Sequence, residues 1–282
     1  MRKLIGMVRL FRLELSLAAG ICVAAGQILA LGGLPSTRVG ILGFLCAFSL
    51  SSAAVILNDY FDFEVDQVNH PDRPLPSGMV SGSDVVVLTV VTTLIGLVAA
   101  LALGWDVLVI SIVFWLIGVL YNWRYKESGL LGNLMVSASV AVTFLLGAIT
   151  VSEPWSGIVW VFSMMAFFID LGEEIAGDAM DMEGDKKRGS RSIALKKGKA
   201  FALRVSTALW SMVIVIGFVP LVLGWMGTGY LIMILIIDAL IVFFTIRLLR
   251  SESAESGRQA MRGIYLGATL CIVAFLAGQF IW

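Results

Sequence analysis

Two stretches of this chain carry aspartates at the same spacing, each where an apolar segment gives way to a polar one. The first is Asn58-Asp59-Tyr60-Phe61-Asp62-Phe63-Glu64-Val65-Asp66, and the second is Gly177-Asp178-Ala179-Met180-Asp181-Met182-Glu183-Gly184-Asp185. Both read D-x-x-D-x-x-x-D, and matching aspartates lie 119 positions apart (178 − 59). On a helix, positions i, i+3 and i+7 share one face. Asp59, Asp62 and Asp66 therefore form one stripe of carboxylates, and Asp178, Asp181 and Asp185 form another. Two facing stripes repel unless a cation sits between them, and magnesium with a diphosphate is the economical partner.

The flanking residues suit the same chemistry. Asn58 sets a neutral amide beside the first aspartate. Downstream, Asn69-His70-Pro71-Asp72-Arg73-Pro74-Leu75-Pro76-Ser77-Gly78 holds three prolines within six positions, which stiffens the loop. Arg73 is then a held guanidinium able to fork onto phosphate oxygens. The second motif runs into Lys186-Lys187-Arg188-Gly189-Ser190-Arg191. Acid followed by base is what a metal–diphosphate complex needs, and Lys186 is the first cation available for leftover phosphate charge. Upstream, Asp170, Glu173 and Glu174 extend the acidic face into an apolar stretch, where ionisable groups usually line a cavity. Tyr121-Asn122-Trp123-Arg124-Tyr125-Lys126 is a third polar cluster. A lone acidic cluster at a helix end is ordinarily a solvated cap. Two copies of one spacing, each with a basic follower, outweigh that reading. Lys196, Lys197 and Lys199 read as an anchor against acidic lipid. Asp238, alone in an apolar stretch, reads equally as a structural hydrogen-bond partner or a cavity-lining group.

The elements that must position these residues are membrane spans. The 282-residue chain is 59% hydrophobic and 14% charged, against about 25% charged in soluble proteins. Nine apolar stretches approach the roughly 20 residues that a span needs: about 13–31, 40–58, 83–103, 106–122, 131–150, 157–177, 200–223, 228–247 and 262–281. Only Gly104, Trp105 and Asp106 separate the third from the fourth. No signal-peptide cleavage pattern precedes the first stretch, which is read as retained. The expected fold is all-α: one integral-membrane domain over residues 1–282, a polytopic bundle of nine transmembrane helices with two cytoplasmic motif-bearing loops. Those loops run roughly 59–82 and 178–199. The stretch 248–261 reads as a solvated connector without a site.

With nine spans, 19 of the 20 basic residues fall on the side of the N-terminus and both motifs, counting Arg204 with its adjacent loop, and only Arg38 falls opposite. That predicts a multi-pass cell-membrane protein with its N-terminus and active-site loops cytoplasmic and its C-terminus outside. An offset of four spans puts both motifs on one side, as a degenerate internal repeat would. His70 is the only histidine, and Cys22, Cys46 and Cys271 lie in apolar stretches without metal-ligand spacing. Haem and zinc chemistry find no support, and the cysteines read as packing residues. The net charge of zero says little about partners. No nucleic-acid partner is expected, and no motif dictates an oligomeric state.

A membrane protein that gathers metal and diphosphate sites at its surface fits isoprenoid chemistry. The diphosphate is a leaving group on a long apolar chain, and neutralising its charge stabilises its departure. The allylic cation left behind needs a water-excluding cavity.

At this point the motifs carry a resemblance. Asn58 through Asp66 matches the N-D-x-x-D-x-x-x-D signature of the UbiA superfamily of intramembrane prenyltransferases. Pro71 through Gly78 looks like that family's following loop, and Asp178 through Gly189 resembles its second motif, with the E-G-D run at Glu183-Gly184-Asp185. Tyr121, Lys126 and Gly132-Asn133 are similar to the segment around its fourth and fifth helices. The resemblance implies an enzyme with two magnesium ions bridging the diphosphate of an isoprenyl substrate. It gives metal and diphosphate roles to Asp59, Asp62, Asp66, Asp178, Asp181 and Asp185, with Asn58 beside them. Arg73 and Lys126 become diphosphate contacts, and Tyr121 a group near the reacting carbon. The loop and the E-G-D segment look most like archaeal geranylgeranylglyceryl-phosphate geranylgeranyltransferases, and somewhat like chlorophyll synthases. Two positions depart from that branch: Glu173 stands where an arginine commonly precedes Glu-Ile, and Leu15 stands where relatives often carry asparagine. Glu14 and Glu173 together suggest an acceptor pocket less suited to phosphate.

The leading expectation is prenyl transfer, from geranylgeranyl diphosphate, to a lipophilic acceptor. A phosphoglycerol ether lipid stands ahead of an aromatic quinone precursor or a tetrapyrrole. CDP-alcohol phosphotransferases also use membrane aspartates, but within one local motif. An ion-coupled transporter would carry its site near the bilayer midplane on broken helices, whereas these aspartates sit at the interface.

Overall fold

A computed structural model describes residues 1–278. Fourteen α-helices and no strand occur among them: α1 Arg2–Leu10, α2 Leu13–Leu31, α3 Thr37–Phe61, α4 Phe63–Asn69, α5 Gly82–Leu103, α6 Trp105–Leu120, α7 Leu130–Thr150, α8 Gly157–Met180, α9 Met182–Arg188, α10 Ile193–Lys197, α11 Lys199–Gly217, α12 Val219–Val222, α13 Thr228–Leu249 and α14 Ala254–Gly278. A π-helical turn, Tyr121–Tyr125, and a 3-10 turn, Lys126–Ser128, link α6 to α7.

Among the described residues, seven segments are long and apolar enough to cross a membrane: Leu13–Leu31, Thr37–Phe61, Gly82–Leu103, Trp105–Ser128, Leu130–Thr150, Lys199–Val222 and Thr228–Leu249. The chain is therefore a multi-pass helical membrane protein. The sixth predicted span falls on α8, whose second half carries Asp170, Glu173, Glu174 and Asp178. The ninth falls on α14, and its last three predicted residues, 279–281, lie outside the described residues, as does the chain end assigned to the outer face.

Local chemistry sets the helix ends. Ser81 caps α5 by accepting from the Asp84 amide at 3.3 Å, while Asp84 accepts from the Ser81 amide at 2.9 Å. This reciprocal capping box satisfies two otherwise unpaired donors. The narrow break between the third and fourth predicted spans is a single residue, Gly104, at φ 152°. A side chain there is strained, and its Cβ would stand 2.8 Å from an Asp106 carboxylate oxygen. Pro220 lies at the start of α12 and has no amide hydrogen to continue the helical ladder; α11 ends just before it, at Gly217. The predicted connector 248–261 shrinks, because α14 already begins at Ala254.

The chain forms two compact units. The first comprises Met1–Arg124 with Thr143–Pro154, and the second comprises Tyr125–Val142 with the chain from Trp155 onward. In the first unit, α2 and the end of α7 pack backbone against backbone. A Cβ on Gly26 would overlap the Phe144 carbonyl, and one on Gly147 would overlap the Val23 carbonyl. Small residues allow such close approach where lipid supplies little drive for helix association. Gln27, fully buried, ties this seam by donating to Thr150 Oγ1 at 2.9 Å and to the Val39 carbonyl at 3.1 Å. In the second unit, Gly172 of α8 receives the Trp210 indole of α11, whose Nε1 donates to the Ile169 carbonyl at 3.1 Å. Tyr230 closes the unit's far end by donating to the Gly217 carbonyl at 2.8 Å.

Gly147→Val should cost about 1–3 kcal/mol of stability, because the added atoms meet backbone that cannot move aside. Gly33→Ala, which meets no atom within 4 Å, should leave stability near the parent value. Thermal unfolding of the two variants in one detergent checks this; equal midpoints would refute the packed seam.

Candidate functional site

Each acidic motif sits where a long helix breaks into a short one, and the break falls on the middle aspartate both times. Asp62 separates α3 from α4 with φ −85° and ψ 0°; Asp181 separates α8 from α9 with φ −105° and ψ 13°. The amide-to-carbonyl ladder nevertheless runs through both breaks. Asp62 N donates to Asn58 O at 2.9 Å and Asp66 N to Asp62 O at 2.8 Å. In the second copy, Asp181 N donates to Gly177 O at 2.9 Å and Asp185 N to Asp181 O at 3.0 Å. The expected single helical stripe is thus a stripe with a bend at its centre. The expected loops 59–82 and 178–199 are partly helical, holding α4, α9 and α10.

The first motif is buried: Asp59 and Asp66 are each 2% exposed and Asp62 is 8% exposed. Buried carboxylates need charge partners, and two arginines supply them. Arg12 donates to Asp59 in a short contact, and Arg73 donates to Asp66 at 2.5 Å while standing 3.9 Å from Asp59. Arg73 is therefore held at the motif, as the stiff loop predicted. Arg12 is a residue that motif spacing did not reveal. It caps α2 in the left-handed region at φ 39°, where residues with a side chain are uncommon and cluster at functional sites. Asn58 donates through Nδ2 to Asn122 Oδ1 at 2.7 Å, and Asn122 donates to the Gly118 carbonyl at 3.0 Å. This ties the end of α3 to the end of α6, beside half-buried Tyr121.

The second motif is more open. Asp178 and Asp185 are half-buried and Asp181 is exposed. Asp181 accepts from Arg258 at 2.6 Å. That contact corrects the reading of 248–261 as a connector without a site: Arg258, on α14, reaches the motif. Asn133 of α7 donates to Asp178 at 2.9 Å, and Ser137, one turn along, donates to Asp170 at 2.7 Å. The polar face of α7 thus satisfies two of the carboxylates on α8, and Glu173 and Glu174 lie between them, half-buried. Half-buried Lys126 opens the 3-10 turn, and the chain after the second motif is pinned to that turn. Arg191 N donates to Glu127 O at 3.0 Å, and a Cβ on Gly129 would overlap the Arg191 carbonyl. Lys186 projects from α9, exposed. Glu14, in the first turn of α2, is exposed. Asp238 is buried in α13, and its Oδ1 finds no hydrogen-bond partner.

Among the described residues, no three histidine, cysteine or carboxylate groups converge into a preformed metal cage. Magnesium takes one or two carboxylates and completes its shell with water and phosphate oxygens. The arginines against Asp59, Asp66 and Asp181 show that these carboxylates face cations. The residues present therefore fit the ion.

Comparison with known proteins gives this geometry a context. The sequence profile of the UbiA prenyltransferase family matches residues 19–278. The chain is 33% identical over 265 residues to the digeranylgeranylglyceryl phosphate synthase of Thermococcus kodakarensis, covering 94% of each chain. Its structure resembles a solved digeranylgeranylglyceryl phosphate synthase with a TM-score of 0.78, at 27% identity and full coverage of both chains. It also shares the fold of a UbiA homolog from Archaeoglobus fulgidus bound to GPP and Mg2+, with a TM-score of 0.74 at 20% identity, covering 96% of this chain and 98% of that one.

The Arg12–Asp59 contact is open to a thermodynamic cycle. Arg12→Met should destabilise the protein by about 3 kcal/mol, because it leaves a buried carboxylate short of a charge partner. Asp59→Asn in the same chain should recover part of that loss. Unfolding free energies that add without interaction would show that the contact carries no coupling.

Proposed function

Because the chain belongs to the UbiA prenyltransferase family, we propose that it transfers a geranylgeranyl group from geranylgeranyl diphosphate to the free hydroxyl of geranylgeranylglyceryl phosphate. The observation that carries this acceptor is the 33% identity, over 94% of both chains, with a digeranylgeranylglyceryl phosphate synthase. In the reaction the bond between C1 of the prenyl chain and the diphosphate oxygen breaks, and the diphosphate leaves with both bonding electrons. The acceptor hydroxyl oxygen attacks C1, the ether bond forms, and the hydroxyl proton is released.

Asp59, Asp62, Asp66, Asp178, Asp181 and Asp185 are the residues assigned to hold magnesium, two ions in this reading, each motif serving the diphosphate. Magnesium, when bound, supplies charge neutralisation to the departing diphosphate. Arg73 is assigned to the phosphate oxygens, and its place against Asp59 and Asp66 supports that role. Lys126 and Lys186 are assigned to the remaining phosphate charge, Asn58 to orienting the first motif, and Tyr121 to the neighbourhood of the reacting carbon. The apolar spans provide the dry surroundings that an allylic cation needs. The N-terminus and both motif segments are assigned to the cytoplasmic side, a reading supported by the basic residues gathered there in sequence.

One observation favours a second acceptor class. Glu173 stands on α8 between Asp170 and Glu174, without the arginine that would greet an acceptor phosphate. An aromatic quinone precursor or a tetrapyrrole would meet less repulsion there.

Purified enzyme in vesicles, given radiolabelled geranylgeranyl diphosphate and magnesium, should label geranylgeranylglyceryl phosphate and leave 4-hydroxybenzoate, a dihydroxynaphthoate and a chlorophyllide unlabelled. Labelling of an aromatic or tetrapyrrole acceptor instead would establish the second class. Asp62→Ala and Asp181→Ala should each lower turnover by about 100-fold or more; near-parent turnover in either would remove that residue from the metal assignment. Glu173→Arg should lower the KM for the phosphate-bearing acceptor, and a raised KM would refute the pocket argument.

A further inference from the structure

The N-terminal helix α1 has two apolar faces, and only one is used within the protein. Gly6 and Leu10 are buried. Leu10 joins Ile56, Leu75, Val80 and Val85 in a hydrophobic cluster, with Met7 packed against it. A Cβ on Gly6 would stand 2.8 Å from Met79 Cβ, so α1 lies flush on the segment that follows the first motif. Polar contacts fasten the same seam. Arg2 donates to the Ser77 carbonyl at 3.3 Å, Arg9 donates to the Asp72 carbonyl at 3.2 Å, and Lys3 pairs with Asp84 at 2.8 Å. Thus α1 grips residues 72–80, the loop that carries Arg73.

The other face is Leu4, Ile5 and Val8, which are 66%, 50% and 50% exposed. These positions share a side of the helix, roughly opposite Gly6 and Leu10. Basic residues flank them. Two residues beyond the end of α1, Phe11 and Arg12, the membrane-crossing α2 begins at Leu13. Two residues reach only about 7 Å, so α1 cannot leave the bilayer boundary. A short helix with one apolar face, basic flanks and a fixed position at that boundary has the features of an interfacial helix.

We propose that α1 lies in the bilayer interface with Leu4, Ile5 and Val8 at the edge of the acyl layer, and that this anchoring holds the 72–80 loop, and with it Arg73, in place at the first acidic motif. The partner is the lipid surface itself. The loop has no helix or strand of its own. Its internal order rests on turn bonds, among them Ser77 N to Arg73 O at 3.0 Å, Met79 N to Pro74 O at 2.9 Å, Gly78 N to Leu75 O at 3.1 Å and Val80 N to Pro74 O at 3.2 Å. A segment without a helical or strand ladder depends on the elements that cover it. The consequence for Arg73 rests on its assignment to the diphosphate above; the placement of α1 does not.

Two measurements test the proposal, and neither needs turnover. In chains whose native cysteines are replaced by alanine, a nitroxide on Leu4→Cys or Val8→Cys is read in vesicles of phosphatidylcholine and phosphatidylglycerol. The label should relax more with oxygen than with a water-soluble nickel chelate. Dominant relaxation by the nickel chelate would place this face in water, or leave it free for a soluble protein, and would overturn the proposal. Separately, hydrogen exchange at the Ser77, Met79 and Val80 amides is compared between the parent and the Leu4→Ser, Ile5→Ser, Val8→Ser triple variant. In vesicles the variant should exchange about tenfold faster at these amides with the α3 and α5 amides unchanged. Equal protection of the loop would overturn its dependence on α1, and faster exchange throughout α3 and α5 would show general destabilisation instead. Failure of prenyl transfer in the parent would refute the proposed reaction and leave both readouts standing.

Discussion

Carboxylates gathered at the end of a membrane helix repel one another and lose hydration as they are covered, and the chain meets that constraint by bringing in guanidinium groups from a distance. The first motif is almost fully buried, yet Asp59 and Asp66 keep their charge partners in Arg12 and Arg73. Removing water strengthens each attraction and also makes any missing partner costly. The start of α2 and the loop after α4 are both fixed to this cluster, through Arg12 and Arg73. Even the strained backbone at Arg12 is accounted for, since that turn delivers the guanidinium to Asp59.

The same local plan recurs in the second motif with a different outer layer. Both copies bend at the middle aspartate and carry the helical ladder through the bend. In the first, the partners are cations and the carboxylates are buried. In the second, Asn133 and Ser137 of α7 satisfy Asp178 and Asp170, while Arg258 meets exposed Asp181. One backbone device thus stands in two electrostatic settings.

Much of the fold was legible in sequence because a lipid environment imposes blunt requirements. Uninterrupted apolar length located the seven segments able to cross a membrane to within about six residues, and even the break at Gly104 was visible as a lone interruption. The motif aspartates stood out because their spacing repeats. Arg12 and Arg258 did not stand out, since each pairs with an aspartate 47 or 77 positions away and no local pattern encodes such a partner. Arg258 was further disguised by a serine- and glutamate-rich neighbourhood that reads as solvated connector. The bends at Asp62 and Asp181 were hidden for a different reason. The i, i+3, i+7 spacing is compatible with a straight helix, and only the tertiary setting decides that it bends. Likewise α1 is too short and too basic to register as a span, so its role in holding the following loop emerges only from contacts.

The choice of arginine over lysine at these sites has its own logic. Arg12, Arg73 and Arg258 touch motif aspartates, whereas Lys186, Lys187, Lys196 and Lys197 are all exposed. An ammonium group sheds water reluctantly and loses its proton when buried; a guanidinium does neither readily. Beside a carboxylate as covered as Asp59, a lysine could neutralise the pair by giving up its proton. Arginine does not offer that route. The lysines stand in exposed positions, where long-range attraction for anions matters more than fixed geometry.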